Sequence, residues 1–257
     1  MKFTLSPRRI VQVLSLAVLC LTVASVAGQI LKYFLGRPTI YGFVPLFNVD
    51  EEANFPTWYQ STTLLLCSIL LATIQLSKRD GDRYVFHWRV MSLIFLWLSI
   101  DEATLIRDHS EAILERAFNP GGFFYYAWVI PAIPLVFIFM LAYLRFLFNL
   151  PAKTRRLFLI AGSLFVGGAL GMELIGGRYR EFHGYENMTY IMITHVEEVL
   201  EMIGVVVFIY ALTLYMISPA KEVIVSVSWT EIGHEEPESE THSNETESHR
   251  QFVTGPR

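Results

Sequence analysis

The sequence is poor in charge. Only 17% of its 257 residues are charged, whereas a soluble domain carries about 25%. The 20 Lys and Arg against 24 Asp and Glu give a net charge of −4, so the basic surface of a nucleic-acid-binding protein is missing. Hydrophobic residues make up 53% of the chain, and the mean hydropathy is +0.41. These values exclude a disordered chain and most cytosolic enzymes, and they predict an integral membrane protein whose partner is the lipid bilayer and not nucleic acid.

Cysteine is scarce as well. Cys20 and Cys67 both lie in apolar runs and are too few for a disulfide framework or a zinc cluster. The chain also lacks a P-loop and the GxSxG, HExxH and CxxC motifs. No motif therefore assigns a reaction, and any sign of function has to come from residues in unusual places.

Six apolar stretches are long enough to cross a bilayer, which takes about 20 residues. They cover residues 10–35, 58–76, 90–106, 123–148, 157–175 and 188–217. Residues 218–257 carry eight glutamates among Ser, Thr and His, a composition that cannot bury an apolar core. We therefore predict an all-α fold: a bundle of six transmembrane helices over residues 1–217, followed by a disordered acidic cytoplasmic tail over 218–257.

The distribution of Lys and Arg predicts the orientation. With the N-terminus inside, the inner segments hold 12 Lys and Arg and the outer segments hold 6, leaving aside Arg250 and Arg257. This favours a multi-pass protein of the plasma (inner) membrane with both termini inside. An alternative interpretation takes residues 1–27 as a cleaved signal peptide, since Ser25-Val26-Ala27 follows a basic start and an apolar stretch.

Ionisable side chains interrupt three of the spans, although each costs roughly 2.5–3.5 kcal/mol there and usually marks function. In the predicted orientation all of them fall in the outer half of the membrane. They are Asp101 and Glu102 in the third span, Glu173 in the fifth, and His195, Glu197, Glu198 and Glu201 in the sixth. The sequence therefore predicts a buried polar cluster that opens towards the outer face.

Helical spacing divides this cluster into roles. His195, Glu198 and Glu201 are three residues apart and share one stripe, and Glu102 and His109 share a face two turns apart. Carboxylates with imidazoles are typical ligands of iron, manganese and zinc, and helical bundles hold such sites between facing helices. We expect one or two divalent metal ions to be held by Glu102, Glu173, His195, Glu198 and Glu201. Asp101 and His109 are then candidates for a general base or for groups that orient the ligands.

Three functions fit this cluster. The first is a metal-binding membrane enzyme that acts on a lipid or a small apolar substrate. The second is a proton- or cation-coupled transporter, which needs a polar path past residues 203–217, a nearly uniform apolar stretch. The third is a non-catalytic scaffold whose acids pair directly with Arg178 and Arg180. The geometry of the side chains decides among them.

Overall fold

The computed structural model describes residues 6–34, 42–78 and 81–217, without the side chains of Phe34 and Asp108. The predicted acidic tail, 218–257, lies outside the described residues. The secondary structure of the described part is helical. Its α-helices are α1 (Pro7–Phe34), α2 (Phe43–Phe47), α3 (Phe55–Leu76), α4 (Val85–Thr104), α5 (Ile106–Phe118), α6 (Val129–Asn149), α7 (Ala152–Val166), α8 (Glu173–His183) and α9 (Met188–Met216). A short 3₁₀ helix covers Gly122–Phe124, and a π-helix, Gly167–Met172, joins α7 to α8.

Five helical segments are long and apolar enough to cross a membrane: α1, α3, α6, α9 and the continuous run Ala152–His183 through α7 and α8. The third predicted span is also a helix, α4, with 20 residues. Every 18-residue stretch of α4 contains Arg89, Asp101 and Glu102, which sets it apart from the other five. The all-helical membrane class is therefore confirmed, while the sixth span and the orientation stay predictions.

The second half of α9 lies in the apolar core of the bundle. Ile209 and Leu212 have no exposed surface, and Val205 is 2% exposed. They pack in a cluster with residues of α3, α4, α6 and α7, among them Leu71, Trp88, Phe146 and Phe158. Because apolar burial drives folding, this cluster accounts for the cohesion of this half of the molecule. The side chains that follow Glu201 in α9 thus lie mostly among apolar neighbours.

Two pairs of serines join α3 to α4. The Ser61 hydroxyl donates to the Ser99 carbonyl at 2.8 Å, and the Ser99 hydroxyl donates back to the Ser61 carbonyl at 2.8 Å. Seven residues further along α3, Ser68 and Ser92 repeat the same exchange at 2.8 and 2.9 Å. Small hydroxyl residues allow helices to approach closely in a membrane and to bond across their interface. The serines therefore fix how α3 and α4 lie against each other.

Two glycines bring the chain around the π-helix against α9. A Cβ atom on Gly204 of α9 would lie 2.8 Å from the Phe165 backbone nitrogen and 3.0 Å from the Ala161 carbonyl oxygen. A Cβ atom on Gly168 would lie 2.8 Å from the Glu197 carbonyl oxygen and 2.9 Å from the Glu201 Cγ. Both contacts involve backbone, which cannot move away as a side chain can. The close approach of these segments therefore requires glycine at both positions.

Candidate functional site: an acidic cavity

A cavity of about 200 Å³ lies at the end of the bundle where α1 and α4 end and α3, α6 and α9 begin. We call it the acidic cavity, because carboxylates dominate its lining and basic residues are few. Its carboxylates belong to Asp50, Glu51, Glu52, Asp101, Glu102, Glu173, Glu197 and Glu198, and its basic side chains are Arg107 and Arg180. The structure thus brings acids from α4, α8, α9 and the loop after α2 to one place.

A break in the helix places the acids of α4 at the cavity. Leu105 adopts a left-handed conformation (φ 59°) and separates α4 from α5. The Asp101 carbonyl oxygen accepts a hydrogen bond from the Leu105 N–H at 2.7 Å. The Asp101 carboxylate accepts a second hydrogen bond, from the Arg107 backbone N–H at 2.9 Å. This N–H belongs to the first turn of α5 and has no acceptor within its own helix. Asp101 therefore has a structural role in this break, whereas the sequence suggests a general base.

Replacing Asp101 with alanine is expected to lower the free energy of unfolding by about 0.5–2 kcal/mol, because the first turn of α5 loses its cap. Asp101→Asn retains an oxygen that can accept the same hydrogen bond and should cost much less. Thermal unfolding of the two variants in detergent measures the difference. Equal destabilisation by both substitutions contradicts the capping role and favours a requirement for the charge.

The π-helix leads directly into Glu173. Glu173 is the first residue of α8, and its Oε1 accepts a hydrogen bond from the Trp128 indole N–H at 3.1 Å. The Glu197 carboxyl lies beside that of Glu173. A π-helix inserts an extra residue into the helical turn and is frequent at functional sites. Here it changes the direction of the side chains that follow it, so that Glu173 reaches the cavity.

The loop between α2 and α3 supplies three acids that were not predicted to belong to the cluster. The Gln29 side chain donates to Asn48 Oδ1 at 2.8 Å, and the Val49 N–H donates to Ser25 Oγ at 3.1 Å. Asn54 donates to the Asn48 carbonyl at 2.6 Å. The first two bonds fasten the loop to α1, and the third closes the loop on itself. The three acids that come directly after Val49 line the cavity: Asp50, Glu51 and Glu52.

Asp50 has a perturbed pKa. The residue as a whole is exposed, but its carboxyl lines the cavity, where protein atoms replace water. This desolvation raises the pKa of Asp50 from 3.8 to about 6, although a hydrogen bond from Thr194 and the charge of Arg180 act in the opposite direction. The neighbouring carboxylates of Glu51 and Glu173 raise the pKa further. Asp50 therefore changes charge in the physiological pH range.

The arginines near the cavity lie over aromatic rings. The Arg107 guanidinium is 4.8 Å from the Trp128 ring centroid, and that of Arg180 is 5.1 Å from the Tyr185 centroid. Arg180 also donates to the Tyr126 hydroxyl at 2.9 Å. In the part of the chain that the structure describes, neither Arg178 nor Arg180 forms an ion pair with a carboxylate within 4.0 Å. The direct pairing that the scaffold hypothesis requires of these two arginines is not observed.

The predicted site residues separate into two groups. Asp101, Glu102, Glu173 and Glu198 line the acidic cavity, whereas His109, His195 and Glu201 are not part of its lining. His109 is exposed on α5, and its Nδ1 lies 2.6 Å from the Leu105 carbonyl oxygen. Within residues 6–34, 42–78 and 81–217, no three His, Cys, Asp or Glu side chains are arranged to hold a metal ion. The structure therefore gives no support to metal binding by the predicted set of five.

His195 is engaged at both ring nitrogens. Nδ1 lies 2.7 Å from the Ile191 carbonyl oxygen and thus carries the proton, while Nε2 lies 2.8 Å from Ser25 Oγ and accepts from that hydroxyl. Ser25 in turn accepts the Val49 N–H. The side chain of His195 consequently links α9, α1 and the loop after α2, a role that spacing along α9 alone does not indicate.

Two buried polar groups near the cavity lack hydrogen bonds. Gln60 of α3 is 2% exposed and lies beside the Glu201 carboxyl, yet neither its Nε2 nor its Oε1 has a partner in hydrogen-bonding geometry. The buried Nε of Arg180 has none either. Buried polar atoms are nearly always satisfied by protein, water or an ion. Gln60 does not line the cavity, and the Arg180 N–H is a donor that no cation can satisfy, so these atoms give no evidence for a bound cation.

Comparison with known proteins gives one match. A family model described as a domain of unknown function (DUF8692) matches residues 13–216, which include every helix from α2 to α9 and most of α1. No curated protein matches the chain. No solved structure matches it.

Proposed function

The chain belongs to the DUF8692 family, and we propose that it is a membrane protein that binds a divalent cation in the acidic cavity. The observation that carries this proposal is the excess of negative charge in a small space. Eight carboxylates and two guanidinium groups line about 200 Å³. Carboxylates so close together repel one another, and partial burial adds to the cost. A bound cation offsets both contributions. In the described residues no three of these side chains are arranged to hold a metal ion, so the carboxylates have to move closer together when the cation binds.

The donor set favours a hard cation. The candidate ligands are carboxylate oxygens, and neither His109 nor His195 lines the cavity. Oxygen ligands suit Mg²⁺, Ca²⁺ and Mn²⁺, whereas zinc and iron sites commonly include imidazole. Of the three metals that the sequence suggests, Mn²⁺ therefore fits the cavity best.

The position of the cavity supports a site entered from one side of the membrane. We place it on the outer side, with α4 as the third of six spans and both termini inside. At 1.5 Å per residue, the 20 residues of α4 extend about 30 Å, the thickness of a hydrocarbon core. The apolar core around Ile209 and Leu212 speaks against a transporter with a continuous polar path. Among the three functions, a cation-dependent membrane enzyme acting from the outer side is thus favoured.

The test is cation binding to the purified full-length protein, measured by calorimetry with Mn²⁺. The double variant Glu102→Gln/Glu198→Gln removes two charges from the cavity, and we expect Mn²⁺ binding to weaken at least about tenfold, since each charge-assisted contact contributes about 1.5–3 kcal/mol. The matched control, Glu115→Gln/Glu186→Gln, removes two exposed charges at the same end of the bundle and should change little. Absence of Mn²⁺ binding by the native protein, or equal loss in both double variants, contradicts the proposal.

Cation binding is expected to strengthen as the pH rises through about 6. The pKa of Asp50 is raised to about 6, so its carboxyl is neutral below this pH and adds a negative charge to the cavity above it. Proton and cation compete for the same carboxylate, and binding therefore weakens in acid. Titrations with Mn²⁺ at about pH 5 and about pH 7.5 measure the change. Asp50→Asn should reduce it, and an unaltered pH dependence in that variant assigns the effect to other carboxylates.

A further inference from the structure

A second depression lies on the opposite face of α8 from the acidic cavity. It has a volume of about 370 Å³ and is lined by Phe123, Ile175, Arg178, Tyr179, Phe182 and His183. We call it the α8 groove. Five of its residues belong to α8 and are three or four positions apart, so they share one side of that helix. Glu173 and Arg180, which line the acidic cavity, lie on the other side.

The walls of the α8 groove are apolar and open to the surroundings of the protein. Phe123 is 55% exposed, Ile175 48% and Phe182 62%. All three are close to one end of the membrane-spanning run Ala152–His183 or to the start of α6. Aromatic side chains in such positions are typical of the boundary between hydrocarbon and headgroups. The groove therefore lies where both lipid chains and lipid headgroups are within reach.

Arg178 supplies the permanent positive charge of the α8 groove. Its guanidinium lies 5.1 Å from the Phe123 ring centroid and 4.7 Å from the Phe182 centroid, so two aromatic rings hold the group. Within the described residues no hydrogen bond or ion pair to protein engages its N–H groups. A guanidinium that is fixed in position and retains its donors is suited to the bidentate recognition of a phosphate.

The remaining groups around the groove fit a negatively charged ligand. His183 lines the same groove and stacks on Tyr179 with 4.5 Å between ring centroids. Among the residues that the structure describes, no carboxylate lines the groove. The nearest acid along the chain, Glu181, does not line the groove, and its carboxylate accepts a hydrogen bond from the Gly122 N–H at 2.7 Å. The α8 groove is therefore positively charged, whereas the acidic cavity on the other side of the same helix is negatively charged.

We propose that the α8 groove binds an anionic phospholipid, with the headgroup phosphate on Arg178 and the beginning of the acyl chains on Phe123, Ile175 and Phe182. The apolar walls select a lipid over a free phosphate. Among the described residues no carboxylate lies within 4.0 Å of the Arg178 guanidinium, and this charge selects an anionic headgroup over a zwitterionic one. The inference does not depend on cation binding in the acidic cavity, because the two sites share no lining residue.

Lipid binding to the full-length protein, measured by native mass spectrometry, tests the proposal. Phosphatidylglycerol and phosphatidylcholine are offered at equal concentration, and the native protein should retain phosphatidylglycerol preferentially. Arg178→Gln should weaken phosphatidylglycerol binding about tenfold, since a charge-assisted bond is lost. Arg178→Lys keeps the charge but not the planar group, and it should lose less. The control is Arg116→Gln, an exposed arginine in α5 at the same end of the bundle.

Three results overturn the proposal. Equal binding of both lipids removes the role of headgroup charge. Equal effects of Arg178→Gln and Arg116→Gln show a general attraction to the surface instead of a site. Displacement of the lipid by millimolar inorganic phosphate shows that the apolar walls contribute nothing. If Arg178→Gln does not fold, Phe182→Leu replaces it: loss of one of the two rings should weaken phosphatidylglycerol binding, and unchanged binding contradicts the proposal.

Discussion

Ser25→Ala is expected to lower the free energy of unfolding by about 2–5 kcal/mol, the largest loss that we expect from removal of a single polar atom. Ser25 is 1% exposed, and its hydroxyl bonds both His195 Nε2 and the Val49 N–H. Alanine leaves a buried acceptor and a buried donor without partners, and each such group costs about 1–3 kcal/mol. Denaturation of the detergent-solubilised protein measures the loss.

The same substitution should loosen the loop that carries Asp50. Val49 is anchored by Ser25, and residues 50–52 form part of the wall of the acidic cavity. Amide hydrogen exchange across residues 48–54 should therefore accelerate in Ser25→Ala before global unfolding does. Thr22→Ala is the control, since the Thr22 hydroxyl bonds only the Val18 carbonyl one turn earlier in the same helix. If amide exchange in the loop is the same in Ser25→Ala as in the native protein, the hydrogen bond between Gln29 and Asn48 is sufficient to hold the loop.

Gly168→Ala and Gly204→Ala are each expected to destabilise the protein by about 1–3 kcal/mol. The added Cβ atom would lie 2.8 Å from backbone atoms, the Glu197 carbonyl oxygen in one case and the Phe165 nitrogen in the other. The segments on both sides have to separate to relieve these contacts. In Gly168→Ala the displaced residues include Glu197, so Mn²⁺ binding should weaken together with stability.

The chain provides its own controls for these two substitutions. A Cβ atom added to Gly162 of α7 or to Gly167 of the π-helix would meet no heavy atom of another segment within 4 Å. Alanine there should be neutral or stabilising by up to about 1 kcal/mol, because alanine has the higher helix propensity. Thermal unfolding of the four variants in one detergent tests the contrast. If all four lose the same stability, the close approach of the π-helix to α9 is not what requires glycine.

The sequence was sufficient to predict the helices and the meeting of several acids. Apolar stretches indicated each long helix, but the fourth predicted span begins six residues before α6, and the fifth is five residues short at its start and eight at its end. Burial of the second half of α9 follows from the apolar composition after Glu201. The prediction that Asp101, Glu102, Glu173 and Glu198 meet rests on length and spacing alone, and all four line one cavity. For α4 and α9 this follows because the rise per residue fixes how far along a straight helix a side chain lies, whereas Glu173 also depends on the π-helix before it.

The sequence was not sufficient where the backbone departs from a straight helix or where partners come from distant segments. Nothing near Leu105 indicates a left-handed residue, so the turn that moves His109 to an exposed position on α5 was missed. His195 shares a stripe with Glu198, but its bond to Ser25 spans 170 residues and has no local signature. The consecutive acids at 50–52, close to Asn48 and Asn54, were the one local sign that the loop belongs to the site.

The reciprocal serine bonds between α3 and α4 have a mechanical consequence. Ser61–Ser99 and Ser68–Ser92 together provide four hydroxyl-to-carbonyl bonds, and a slide of one helix along the other by a single turn would break all of them at once. The two helices therefore behave as one stiff hairpin, and the acids at the end of α4 are carried on a fixed support. Any opening of the acidic cavity has to come from its other walls, the loop before α3 and the ends of α8 and α9, while Asp101 and Glu102 stay in place.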